Sequence, residues 1–243
     1  MPPHSAKDKL REALLDAATQ SFRRAGPAAW YRARGKLRFD PIYFNLLQRG
    51  LLPDDGTLLD LGCGQGILLA LIVAASRQYR SGHWPAGWQA PPQGLRLEGL
   101  EYRPDRVAVA RAALGTDARI EQHDIRVAEF PSCSAVTALD VLLYLEEQEQ
   151  RSVLERAVRA LNPGGVLLLR EADARAGAAF QVTKWSEYFL EVTRGRFRPR
   201  LHYRAAGEWV DLLEGLDLVV RAEPMSSGTP FSNMLFVARR RAE

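Results

Sequence analysis

Apolar and polar residues follow two different periods along this chain. Between residues 7 and 25, apolar side chains recur every three or four positions, which is the spacing of one helix face. From residue 57 onwards, short apolar runs typical of strands alternate with segments of helical period. The predicted helices cover residues 7–25, 41–49, 67–77, 104–114, 147–161, 180–192 and 208–216. The predicted strands cover residues 57–61, 96–101, 119–124, 135–140, 166–170, 218–223 and 234–239.

This order of elements predicts an α/β fold. Strands that alternate with helices form a parallel sheet with helices on both faces. The last two strands are only ten residues apart, too close for a parallel crossover, and are therefore expected to pair antiparallel. We expect a seven-stranded, mostly parallel sheet with an antiparallel last strand. Residues 1–50 are predicted to form an N-terminal helical extension or cap and residues 51–243 the main domain, with insertions at 76–92, an aromatic surface loop, and 173–204.

Composition narrows the class of protein. The chain has 243 residues, of which 47% are hydrophobic and 26% charged, the balance of a folded globular protein. No apolar run reaches the roughly 18–20 residues that span a bilayer, and residues 1–20 carry charges throughout, so we expect neither a membrane span nor a secretory signal. Two cysteines, Cys63 and Cys133, fit a reducing cytoplasm. The four histidines are scattered without a CxxC or HxxxH pair, so no metal site is expected.

Basic residues are concentrated in one segment. The net charge is only +4, but five arginines fall within eleven residues, which indicates an anionic partner such as a phosphate, a carboxylate or an acidic protein. This arginine cluster consists of Arg194, Arg196, Arg198, Arg200 and Arg204. No RNA-binding module accompanies it and few aromatic residues are interleaved with it, so nucleic acid is not the expected partner.

The most specific signal is a glycine-rich turn, LLDLGCGQG at residues 58–66, directly before an apolar helix. Its glycines, Gly62, Gly64 and Gly66, let the chain turn sharply and let backbone approach a ligand, and the following helix offers free N–H groups. The spacing G-x-G-x-G differs from the G-x-G-x-x-G of dinucleotide-binding turns. At the end of the strand, the Asp60 carboxylate would repel a phosphate and attract the ammonium group of a cofactor that contains an amino acid.

This turn resembles the first motif of the class I S-adenosylmethionine-dependent methyltransferases. The resemblance covers residues 37–172 and the closing strand pair. It implies a Rossmann-like fold, S-adenosylmethionine as methyl donor and S-adenosylhomocysteine as product.

The resemblance also assigns the acids that end the later strands. It implies that Glu101, after the second strand, holds the ribose hydroxyls, with Glu98 as the alternative acid, and that Asp124 accepts from the adenine amino group while Ile125 packs on the ring. Residues before the first strand, among them Lys36, would bind the methionine carboxylate. The cofactor-binding candidates are Tyr31, Arg38, Asp60, Gly62, Cys63, Gly64, Gly66, Glu101, Tyr102, Asp124, Ile125 and Asp140.

The methyl acceptor is less constrained, because in-line methyl transfer mainly requires alignment of the two reactants. Ligands of parallel sheets lie beyond the carboxyl ends of the strands, so the residues after the fourth strand and the 224–233 connection should line the acceptor pocket. Glu171 and Asp173, which end the fifth strand, could also reach it. The substrate-binding candidates are Leu143, Thr229, Phe231 and Asn233, and the catalytic candidates are Tyr144 and the general base His202.

A narrower resemblance concerns the acceptor. The stretch KLRxDP at 36–41, the aromatic insertion and the GTPFxN tail at 228–233 resemble small methyltransferases encoded with bacterial aryl polyene (xanthomonadin-type) pigment synthases. That group implies methylation of a hydroxyaryl head group in secondary metabolism, free or presented by an acidic acyl carrier protein that the arginine cluster would suit. Many relatives carry a histidine where Leu143 stands. Two alternatives stay open: an RNA or protein methyltransferase that grips its substrate with the arginine cluster, and a non-catalytic cofactor-binding protein.

Overall fold

A computed structural model describes residues 6–84, 87–193 and 200–242, and the described elements follow the predicted alternation. The helices are α1 (Ala6–Gln20), α2 (Pro27–Phe39), α3 (Ile42–Gln48), α4 (Ile67–Arg80), α5 (Pro104–Leu114), α6 (Glu147–Ala160), α7 (Ala178–Thr193) and α8 (Ala206–Glu214). The strands are β1 (Asp55–Leu61), β2 (Gly94–Glu101), β3 (Arg119–Gln122), β4 (Cys133–Leu139), β5 (Leu161–Ala172), β6 (Leu218–Pro224) and β7 (Asn233–Arg240). Two short 3₁₀-helices cover Ser21–Ala25 and Leu142–Tyr144.

The sheet has the predicted strand directions. Its seven strands are ordered β3-β2-β1-β4-β5-β7-β6. β2 pairs parallel with both β1 and β3, and β7 runs antiparallel to both of its neighbours, β5 and β6. The predicted Rossmann-like fold, a mostly parallel seven-stranded sheet with an antiparallel last strand, is therefore confirmed.

The chain divides into two compact units. The first contains Met1–Ala128 with Cys133–Ala135, and the second contains Glu129–Ser132 with Val136–Glu243. In the first unit the N-terminal helices pack on α4 and α5. Many of their apolar side chains, although not Phe39, are buried there, so burial of apolar surface holds these helices in place. The proposed domain boundary at residue 50 stays a prediction.

Helix α2 is an element that the sequence pattern missed. Gly26 and Pro27 directly follow the predicted first helix and are typical of a helix end, but proline is also favourable at the first position of a new helix. Gly26 adopts φ 101° and Pro27 opens α2. Two of the three buried residues of α2 are alanines, Ala29 and Ala33, with Leu37 as the third, so the apolar stripe is too weak to recognise among the charged residues.

The insertion at 76–92 is more ordered than the surface loop that was predicted. Helix α4 continues through its first five residues to Arg80, and Trp88 is buried. The Trp84 ring contacts the Trp88 ring edge to face at 5.6 Å, and its indole N–H donates to the Gln89 carbonyl at 3.0 Å. The aromatic residues therefore pack on each other. In the described part of the chain, no helix is both long and apolar enough to cross a bilayer.

Candidate active site

The glycine-rich turn between β1 and α4 needs its glycines for backbone conformation and for space. Gly62, Gly64 and Gly66 have φ angles of 67°, 59° and 77°, a region that L side chains rarely adopt. A Cβ on Gly66 would lie 2.6 Å from Leu114 Cδ1 of α5, so this glycine permits close packing there. A Cβ on Gly64 would have no described atom within 4 Å, so this side of the turn is open to a ligand.

The turn is fixed to β2 by backbone contacts. The Cys63 N–H donates to the Leu100 carbonyl at 3.0 Å, and a Cβ on Gly99 would lie 2.8 Å from Cys63 Sγ, so glycine in β2 makes room for the thiol. The side-chain oxygen of Gln65 is buried and has no hydrogen-bond partner among the described residues. A buried acceptor without a donor is unfavourable, so a donor group of a bound ligand would satisfy it.

Two buried carboxyl groups flank this turn. Asp60 near the end of β1 and Glu101 at the end of β2 are each about 5% exposed or less. Burial, followed by the charges of Asp60 and Glu101, raises the pKa of the Cys63 thiol, which shows that both carboxyl groups lie near it. Glu101 also accepts a hydrogen bond from the Arg103 N–H at 2.8 Å and lies 3.6 Å from Arg106 Nη1. The structure therefore brings the first two predicted acids together at the turn.

Asp124 lies two residues beyond the end of β3, which stops before the predicted strand end, and it has partners of its own. Its carboxylate accepts hydrogen bonds from the Arg126 backbone N–H at 2.9 Å and from Arg126 Nη2 at 2.6 Å. The Arg126 side-chain hydrogen bond is the main cause that lowers the pKa of Asp124. Ile125 is buried, whereas Tyr102 is 61% exposed. An adenine amino group would share this carboxylate with Arg126, and the cofactor roles of Asp124, Ile125 and Tyr102 stay predictions.

Tyr31 and Arg38, the candidates before the first strand, both lie on α2. The Tyr31 side chain is 68% exposed. The Arg38 guanidinium lies 3.4 Å from Glu12 Oε1 of α1, and Lys36 lies 3.4 Å from Asp40. The described contacts of these residues thus join them to the N-terminal helices, and binding of the methionine carboxylate stays a prediction.

In the second unit, Asp140 follows β4 and is paired with a buried arginine. Asp140 has φ 55°, and its carboxylate accepts from Arg170 Nε at 2.9 Å and from Arg170 Nη2. The Arg170 side chain is 1% exposed, and its carbonyl accepts the Asp140 N–H at 2.9 Å. This pair fixes the end of β4 to β5, because breaking a buried ion pair leaves a charge without compensation.

Glu171 holds the loop that follows β4. Its fully buried carboxyl group accepts the Leu142 N–H at 2.8 Å and also hydrogen bonds from the backbone of Val141 and Leu143. Burial, followed by the charge of Asp140, raises its pKa well above the ordinary value. Glu171 therefore caps the 3₁₀-helix that presents Leu143 and Tyr144.

The two catalytic candidates lie in one hydrogen-bonded neighbourhood of the second unit. The Tyr144 hydroxyl donates to Glu187 Oε2 at 3.3 Å. The His202 N–H donates to the Leu143 carbonyl at 2.8 Å, and the Gln150 amide donates to the His202 carbonyl at 3.1 Å. The structure thus brings His202 to the loop after β4, whereas the catalytic role of its ring stays a prediction.

The tail candidates divide between a turn and a strand. The Thr229 hydroxyl and N–H both donate to the Ser226 carbonyl, at 2.9 and 2.8 Å, so this side chain stabilises its own turn. Phe231 is half-buried, and Asn233 opens β7. Their binding roles stay predictions.

Two polar residues of the second unit were not singled out from the sequence. Ser232 donates its N–H to Thr183 Oγ1 at 2.9 Å, which ties the tail to α7. Gln150 is fully buried and lies in the inward stripe of α6, whose other members are Val153, Leu154 and Ala157. A glutamine in an apolar stripe is a signal that could have identified it, because buried polar groups need partners.

Residues 31–223 match the model of a protein family described as a methyltransferase domain. This match covers more than half of the chain. The chain belongs to the S-adenosylmethionine-dependent methyltransferases.

The individual relatives match this methyltransferase over only part of the chain or at low sequence identity. Carboxy-S-adenosyl-L-methionine synthase of Chromohalobacter salexigens is 36% identical over 118 residues, which are 46% of this chain and 38% of that protein. Magnesium protoporphyrin IX methyltransferase of Synechocystis PCC 6803, solved with bound S-adenosylhomocysteine, is 17% identical, with a TM-score of 0.57 over 96% of this chain and 99% of that one. The [4+2]-cyclase SpnF is 16% identical, with a TM-score of 0.61 over 100% and 99%. At these identities the two solved structures show the fold alone.

The geometry of the glycine-rich turn fits the methyl donor. The open side of Gly64, the Gln65 oxygen without a partner and the buried acids Asp60 and Glu101 suit a ligand with an ammonium group and hydroxyl groups. These residues would hold S-adenosylmethionine, which supplies a methyl group on a sulfonium. The chain's own contribution is to bind and orient the two reactants and to exclude water.

Proposed function

We propose that this methyltransferase methylates a small hydroxyaryl acceptor, free or bound to an acyl carrier protein, in the synthesis of an aryl polyene pigment. The observation that carries the proposal is a group of aromatic and carboxyl side chains from the loop after β4, from α7 and from the segment before α8. Tyr144 donates to Glu187, and the Tyr203 ring contacts the Phe180 ring edge to face at 5.0 Å. Aromatic rings and hydrogen-bonding oxygens are the surface that a hydroxyaryl ring needs.

The described part of the arginine cluster does not favour the alternative of an RNA methyltransferase. Arg194, Arg196 and Arg198 lie outside the described residues. Arg204 is occupied inside the protein, because its Nε donates to Gln150 Oε1 at 2.7 Å and its Nη2 to the Glu147 carbonyl at 3.0 Å. A guanidinium used in this way is not available to grip phosphates.

The first test is a turnover assay with methyl-labelled S-adenosylmethionine. The acceptors are 3- and 4-hydroxybenzoic acid, their N-acetylcysteamine thioesters and their acyl carrier protein conjugates, with total RNA alongside. We expect the label on a ring oxygen or ring carbon of an aryl acceptor, read by carbon NMR, together with one S-adenosylhomocysteine per transfer. Label in RNA alone would contradict the proposal, as would cofactor binding without transfer to any aryl compound.

A carrier protein is proposed as the partner that presents the acceptor. Helix α7 exposes large apolar side chains: Trp185 is 68% and Phe189 69% exposed. Exposed apolar patches of this kind mark protein interaction sites. The arginines that follow α7 in the sequence, including the exposed Arg200, complement an acidic partner, and such charge complementarity accelerates association.

Charge reversal of two arginines tests this partner. We expect Arg196→Glu/Arg198→Glu to lower kcat/KM at least tenfold for the carrier-bound acceptor and to leave kcat/KM for the free thioester unchanged, because only the carrier protein offers acidic groups to these arginines. The matched control is Arg239→Glu/Arg241→Glu, which reverses two exposed arginines of the same spacing elsewhere. Equal losses on free and carrier-bound acceptor would contradict the carrier proposal.

A further inference from the structure

The hydroxyl of Tyr203 is buried and has no hydrogen-bond partner among the described residues. Its ring is held by the edge-to-face contact with Phe180, at an interplanar angle of 85°. Most buried hydroxyls in proteins are paired, and leaving one unpaired is unfavourable. A hydrogen-bonding group of a bound ligand would therefore satisfy this hydroxyl.

The residues on both sides of Tyr203 are hydrogen bonded to the loop after β4 or to α6. On one side, His202 is hydrogen bonded through its N–H to Leu143 and through its carbonyl to Gln150. On the other side, the Arg204 guanidinium is bonded to the same Gln150. Tyr203 is thus anchored within the second unit to the loop after β4, and ligands of such sheets lie at the carboxyl ends of the strands.

The charges near Tyr203 define the kind of ligand group. Burial, followed by the charges of Glu187 and Glu171, raises the pKa of the Tyr203 phenol, so the phenol keeps its proton and is a donor. The Glu187 carboxylate, whose charge acts on the phenol, would repel a carboxylate or phosphate of a ligand. An uncharged oxygen is therefore the acceptor that this environment favours.

We propose that the Tyr203 hydroxyl donates a hydrogen bond to the ring hydroxyl of the aryl acceptor and so determines which acceptors bind. This inference rests on the proposed function, because it takes a hydroxyaryl compound as the acceptor. It makes Tyr203 a specificity-determining residue for the hydroxylated ring.

The test is a binding cycle on protein saturated with S-adenosylhomocysteine. The two probes are the N-acetylcysteamine thioesters of 4-hydroxybenzoic acid and of benzoic acid, and the proteins are wild type, Tyr203→Phe and the control Tyr79→Phe, whose ring is half exposed outside the site. Wild type and the control should bind the hydroxylated probe about tenfold more tightly, the worth of one hydrogen bond. Tyr203→Phe should bind both probes equally and unfold at no lower temperature.

Three outcomes would overturn this assignment: equal preference in wild type and Tyr203→Phe, no binding of either probe to wild type, or a lower unfolding temperature of Tyr203→Phe. The last would show that the hydroxyl has a partner inside the protein. If the hydroxylated thioester is methylated but the probe preference does not change in Tyr203→Phe, this inference is wrong and the proposed function stands. If the probe preference depends on Tyr203 but no aryl acceptor is methylated, the proposed function is wrong.

Discussion

Replacing Glu101 by glutamine is expected to weaken the binding of S-adenosylhomocysteine about 100-fold. By its predicted role, the carboxylate accepts hydrogen bonds from two ribose hydroxyls, and hydrogen bonds to a charged group are about twice as strong as neutral ones. Removing the charge of the acceptor in both hydrogen bonds should cost about 3 kcal/mol of binding free energy. This corresponds to roughly a 100-fold increase in Kd. Isothermal titration calorimetry with S-adenosylhomocysteine measures the change directly.

Glu98→Gln is the matched control for this variant. Glu98 lies on the same strand three positions earlier and is the alternative acid for the ribose, so its substitution should leave Kd unchanged. Because Glu101 also accepts the Arg103 N–H, the unfolding temperature of both variants must be recorded. If Glu98→Gln loses S-adenosylhomocysteine binding and Glu101→Gln retains it, Glu98 and not Glu101 holds the ribose hydroxyls.

The sequence predicted the fold well where local signals and tertiary structure agree. The glycines of the turn, the apolar strands and the short final connection each dictate a local conformation that the sheet then uses. Helix α2 was missed because its buried face is built from Ala29 and Ala33, which contribute little apolar contrast. Trp88 was placed on the surface because proline-rich segments are usually loops, although its large ring gains more from burial.

The site of the second unit could be predicted only in part. The sequence singled out Tyr144 and His202 by their position and type. It could not reveal their supports, because Glu171 and the N–H that it accepts are 29 residues apart, and Arg204 and Gln150 are 54 apart. Contacts over such separations arise from packing of elements, which no periodicity encodes.

Replacing Glu171 by alanine should lower the free energy of unfolding by about 4 kcal/mol. The substitution leaves backbone N–H groups of the 141–143 loop without an acceptor and opens a cavity in a fully buried site, and each effect costs a few kcal/mol. Urea denaturation at pH 5, where most of the Glu171 contribution is still present, measures the loss. A loss below about 1 kcal/mol would show that the loop does not depend on this carboxyl group.

Glu171→Gln separates the shape of this side chain from its proton. The amide keeps the volume and one acceptor oxygen, so the loss of stability should be clearly smaller for glutamine than for alanine.

Burial raises the pKa of Glu171 above its ordinary value of 4.5. Between the unfolded-state and folded-state pKa values, the native carboxyl group therefore holds a proton that the unfolded chain has already released. The Glu171 contribution to stability is therefore fully present below pH 4.5 and is lost as pH rises through the folded-state pKa. Glutamine does not titrate, so the stability of wild type minus that of Glu171→Gln should fall as pH rises above 4.5. A constant difference up to pH 8 would show that Glu171 titrates alike in both states and is held as a carboxylate by the loop N–H groups.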